Sequence, residues 1–135
     1  MDPKKIALGT LVFFVSSFVI QGLLGFVIGG EYFMSIPIMR QPPLAYLAMS
    51  ATILTGIAIA VLYPITNLSG TPVVRGLKFG LLTGLLMIPF VALDLPGRFA
   101  IPSVGTWILL QGILGLVHSS VAGVLIGLVY GKEAK

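Results

Sequence analysis

Hydrophobic and polar positions alternate along this chain in long blocks: four apolar runs, at residues 6–28, 44–63, 74–93 and 104–130, are separated by short polar stretches. A helix rises about 1.5 Å per residue, so roughly 20 residues cross the hydrocarbon core of a bilayer, about 30 Å thick. Each run reaches that length. The connections carry the breakers: Glu31, Pro37, Arg40, Pro42 and Pro43 at 29–43; Asn67, Ser69 and Gly70 at 64–72; Pro96, Gly97, Arg98 and Pro102 at 94–103. The pattern predicts an all-α integral membrane protein, a single domain over residues 1–135 forming a four-transmembrane-helix bundle.

A basic start before an apolar run also marks signal peptides. Here the run at 6–28 outlasts the roughly 7–15 residues of a signal core, and no Ala-x-Ala cleavage site follows. A retained first span is expected.

Composition narrows the classes further. Hydrophobic residues make up 57% and charged residues 9% of the chain, against about 25% charge in soluble domains. So few charges cannot cover a water-facing surface, which excludes a soluble globule, and the apolar content excludes disorder. The net charge of +4 comes from eight Lys and Arg against four Asp and Glu. These cations sit at the ends of the runs, where headgroups lie, and form no basic stripe for nucleic acid. Cysteine is absent, so disulfides and thiolate metal sites are excluded.

Lys4, Lys5, Arg75, Lys78, Lys132 and Lys135 fall on one side of the predicted bundle, Arg40 and Arg98 on the other. This bias places both termini in the cytoplasm, N-in and C-in, in a prokaryotic inner membrane. Tyr63 and Tyr130 mark the inner boundary, and Tyr32, Tyr46 and Trp107 the outer one.

Lipid tails are as apolar as leucine, so helices in lipid associate through close packing and hydrogen bonds. Small residues therefore matter, and the chain holds 17 glycines. Gly76, Gly80 and Gly84 form a ridge at a spacing of four in the third run; Gly115, Ser119, Gly123, Gly127 and Gly131 do so in the fourth. Ala48, Thr52, Gly56 and Ala60, and Ser17, Gln21, Gly25 and Gly29, repeat the theme in the other two. These ridges are expected to mediate packing within the chain or between copies. Pro89 removes a donor from the third run and frees the carbonyl of Leu85, which predicts a bend.

No Asp, Glu, Lys or Arg lies deep in a run, which weighs against proton coupling and voltage sensing. The deep polar candidates are Ser17, Gln21, Thr55, Thr83, Gln111 and His118. Ser17 and His118 fall near the midplane, and Gln21 and Gln111 each lie roughly 6–9 Å outward. First and fourth helices are therefore expected to touch, with Gln21 near Gln111 and Ser17 near His118. The matching segments QGLLGFV and QGILGLV, starting at Gln21 and Gln111, are short enough to reflect shared packing chemistry rather than duplication.

His118, the single histidine, is read first as a neutral imidazole bonded to a neighbouring helix. Lining a site and ligating haem or chlorophyll are the lesser readings, and no cofactor or metal is expected. A bis-histidine haem would need a second chain. Asp94 and Arg98 suggest an exposed pair worth under about 1 kcal/mol. The connection at 29–43, rich in Tyr32, Phe33, Met34, Ile36, Ile38 and Met39, is expected to lie in the interface or cap the bundle.

No catalytic motif is present, so an enzyme is not expected. The deep glutamate of small multidrug exporters and the cysteines of quinone-linked disulfide enzymes are both missing. Two functions follow. One is an accessory, assembly or self-associating subunit in a homo-oligomer or larger membrane complex, favoured because the few deep polar groups could satisfy one another. The other is a small dimeric channel or transporter for a neutral or weakly polar solute, its path lined by the six deep polar residues.

Overall fold

A computed structural model of the protein describes residues 1–133; Lys135, one of the cations counted above, lies outside them. Regular structure among the described residues is all helical, and four helices are long and apolar enough to cross a membrane. They are α1 (Pro3–Ser35), α2 (Ala45–Ile65), α3 (Pro72–Arg98) and α4 (Val104–Tyr130).

Local chemistry sets the helix ends. Asp2 caps α1 by accepting the Lys4 N–H at 2.9 Å, with Pro3 in the first turn, where an absent N–H costs nothing. Thr71 caps α3 in the same way, accepting the Val74 N–H at 3.3 Å ahead of Pro72. At the end of α4, Gly131 turns the chain at φ 57°, a conformation that costs residues with a Cβ.

Two helices run past the breakers in their sequence. The stretch 29–35, expected in a connection, continues α1 to Ser35, and α3 continues through Asp94 to Arg98. Tertiary contacts explain the first extension: Ile36 is buried with Ile101 and Trp107, and Tyr32 and Phe33 pack against them. The Tyr32 hydroxyl donates to the carbonyl of Pro102 at 2.6 Å. Met34, Ile38 and Met39 stay exposed, so only part of that connection caps the bundle. Arg98 Nε meets Asp94 at 3.1 Å on the surface.

The helices are antiparallel neighbours in the order α2, α1, α4, α3. The closest pair is α3 with α4, where main chain meets main chain. A Cβ added at Gly76, Gly80, Gly123 or Gly127 would collide with a backbone oxygen of the facing helix, and one at Gly84 would lie 2.6 Å from Ser119 Oγ. Gly115 faces the Ile88 side chain of α3. Contact between α1 and α2 runs through Gly9 against Ala60 and Thr10 and Phe13 against Gly56; contact between α1 and α4 sets Gly25 against Leu114 and Gly29 against Leu110. Ala48, expected on a packing ridge, is exposed.

Between α2 and α3 the packing is incomplete. They meet near the end that bears both termini, where Tyr63 stands edge-on to Phe79 at 5.1 Å between ring centres. Away from that end α2 diverges, and residues 45–54 are exposed except for half-buried Thr52. Outward faces of the bundle are apolar: Phe18, Phe26, Leu54, Leu86, Leu109 and Ile113 are each more than half exposed.

Pro89 does not end α3. The helix passes through it into a π segment at Phe90–Asp94, and α1 contains a second one at Phe18–Leu24. The first has a traceable consequence. The Leu95 N–H goes to the Phe90 carbonyl rather than to that of Val91, and Pro96, next in line for Val91, has no N–H. The Val91 carbonyl is taken instead by the Trp107 indole N–H of α4 at 2.9 Å. The far end repeats the device: Pro64 cannot serve the Ala60 carbonyl, which accepts the Tyr130 hydroxyl of α4 at 2.5 Å.

Gly80→Ala is expected to destabilise the protein by about 1–3 kcal/mol through overpacking. Gly112→Ala, at a glycine with nothing within 4 Å, should be neutral or slightly stabilising; thermal unfolding of both variants in detergent checks the contrast. Trp107→Phe leaves the Val91 carbonyl without its donor and should cost about 1–3 kcal/mol in the same measurement.

Candidate functional site

The incomplete contact between α2 and α3 leaves a cavity of about 250 Å³ lined by all four helices. Its floor belongs to an apolar cluster of Phe13, Ile59, Phe79 and Ala122, backed by Tyr63, Ile126 and Tyr130. Its far limit is Val91, which belongs to the Trp107 cluster. The two bonds that capture carbonyls freed by proline therefore hold the helices together at either end of the cavity, where the apolar clusters sit.

All six deep polar candidates lie on this one wall: Ser17 and Gln21 on α1, Thr55 on α2, Thr83 on α3, Gln111 and His118 on α4. Thr52 and Ser119 join them. Sequence reasoning set Thr52 and Ser119 among packing residues, because a small polar side chain at a spacing of four reads equally as ridge or lining.

The first and fourth helices touch as expected, and their four polar residues border one cavity. The Ser17 hydroxyl donates to Oε1 of Gln21 within α1, at 3.4 Å, and His118 is flanked by Phe13. Gln21 sits in the π segment of α1, where the changed helical turn alters which face a side chain takes. Gln21 and Gln111 share the cavity without a hydrogen bond between them among the described residues.

His118 is buried, at 6% exposure. Its ring centre lies 5.0 Å from that of Phe13. Nε2 is buried and has no hydrogen-bond partner among the described residues.

No Asp, Glu, Lys or Arg lines the cavity. Two cations gather instead at the end of α4: Lys5 donates to the Tyr130 carbonyl at 3.4 Å, and the Arg75 guanidinium to that of Gly131. Positive charge there complements the negative end of the helix dipole. Among the described residues, no group of three or more His, Cys, Asp or Glu could hold a metal ion.

No protein-family model, curated protein or solved structure matches this chain. What the site does has to be argued from its chemistry.

Because the chain contains no cysteine, single replacements report access without background. Thr55→Cys and Gln111→Cys should react with a small water-soluble methanethiosulfonate reagent in detergent, whereas Ile126→Cys, at a fully buried position, should not. Mass spectrometry of the three variants measures the difference.

Proposed function

We propose that this chain is an integral membrane protein, N-in and C-in, that binds a small uncharged solute in its central cavity and passes it across the bilayer. The observation that carries the reading is a void at mid-depth whose largely apolar lining carries Ser17, Gln21, Thr55, Thr83, Gln111 and His118 and no charged group. Membrane insertion is supported by the length and apolar surface of the four helices, and orientation by the excess of Lys and Arg at the end with both termini.

This ordering reverses the sequence-based preference for an accessory subunit, and two observations support the reversal. Apart from the Ser17–Gln21 bond, the deep polar groups border a space rather than satisfying one another. In addition, the ridge residues Gly76, Gly80, Gly84, Ser119, Gly123 and Gly127 face each other inside the chain, so a partner has little of them to grip. Apolar clusters bound the cavity at both ends, and the gap between α2 and α3 opens it sideways.

One observation favours the accessory reading: residues 45–54 of α2 form an uncovered apolar face that includes Tyr46, Leu47 and Leu54. A second copy or another membrane subunit seated there would also close the mouth of the cavity.

Reconstitution into liposomes tests both. The protein should raise the flux of small uncharged solutes such as glycerol or urea, and His118→Leu with Gln111→Leu should lower it about tenfold, the loss of one or two hydrogen bonds. Absence of flux, together with a stoichiometric partner cross-linked at Leu47, would reject transport in favour of the accessory role.

A further inference from the structure

Four hydroxyls on the wall of the cavity have spent their protons on their own helices, and this specifies what a ligand must bring. A hydroxyl has one proton and two lone pairs. Three cavity hydroxyls commit the proton to a carbonyl of their own helix: Thr52 to Ala48 at 2.9 Å, Thr83 to Gly80 at 3.0 Å, and Ser119 to Leu116 at 3.2 Å. Carbonyls only accept, so the direction is fixed. Ser17 likewise directs its proton to Gln21 Oε1. With their protons committed, these four hydroxyls can only accept from a ligand in the cavity. Donors on the same wall are the carboxamide N–H groups of Gln21 and Gln111 and the hydroxyl of Thr55.

We infer that the ligand is an uncharged molecule carrying two or more O–H donors, with the size and chemistry of a small polyol such as glycerol or erythritol. An acceptor-only molecule would leave the four hydroxyl acceptors without a donor. A charged one would lose its hydration without meeting a counter-charge. A polyol hydroxyl gives its proton to Thr52 or Thr83 and takes one from a carboxamide. Size permits it: about 250 Å³ admits a small polyol together with water, at about 30 Å³ per water.

The inference rests on the solute-site reading and names its substrate class, and the test separates the two. His118 is the only histidine, so its imidazole gives isolated ¹⁵N resonances in full-length protein in nanodiscs. Titration with glycerol or erythritol should shift the imidazole resonances saturably, because His118 lines the cavity, while 1,2,3-trimethoxypropane, which keeps the oxygens and lacks the protons, should not. Thr83→Val should weaken the polyol response about fivefold, one hydrogen bond's worth, and Thr83→Ser should restore it. A shift of equal strength and affinity with the trimethoxy compound overturns the donor assignment and leaves a solute site standing. Silence from every probe overturns the inference, and the liposome flux measurement then judges the wider reading by itself.

Discussion

Contact between the backbones of α3 and α4 is the constraint on which the rest of the structure depends. Gly76 and Gly80 face Gly123 and Ser119 so closely that a single added carbon on either helix would strike a carbonyl oxygen or main-chain atom. In lipid, apolar burial would offer helices little net drive to associate, and close main-chain packing of this kind supplies dispersion contacts instead. Because α4 is held against α3 on one side and receives α1 on the other, it becomes the helix from which the cavity is built. The second helix is attached mainly through α1 and the aromatic floor, which is why the open side of the bundle lies beside it.

Proline and aromatic residues complete what the glycines begin. A proline inside or just after a helix leaves a carbonyl without its donor, and in an apolar setting such a group needs another. Trp107 and Tyr130, near opposite ends of α4, supply that donor to Val91 and Ala60. Each bond ties α4 to a different neighbour, one at α3 and one at α2. The polar wall between them is left out of these bonds: its hydroxyls turn to their own helices, and His118 keeps one nitrogen free. Cohesion and chemistry are thus assigned to different residues of the same helix.

Much of this architecture was legible in the chain, and the exceptions are instructive. Apolar run length located all four helices, and helical rise set Ser17 level with His118 and Gln21 level with Gln111; those residues, with Thr55 and Thr83, line one cavity. The continuation of α1 through 29–35 was hidden because Gly29, Gly30 and Glu31 read as a break; only the anchoring of Tyr32, Phe33 and Ile36 around Trp107 makes helix the better state there. The expected contact of α1 with α4 is present, but matched depth did not foretell that Ser17 would bond to Gln21 on its own helix. Two π segments also escaped notice. One follows Pro89 and had at least that marker, while the one at Phe18–Leu24 has no local signal in composition.

The sequence by itself determined which segments are apolar enough to cross a membrane, which small residues share a helix face, and how deep each polar group lies. Those properties follow from helical period and rise, which belong to a single helix. Only the tertiary structure decided that the glycine ridges of α3 and α4 are consumed against each other, that α2 diverges, and that the polar residues surround a space instead of filling it. Distances between helices arise from the volumes that side chains on both sides bring to the contact, so no one segment carries them.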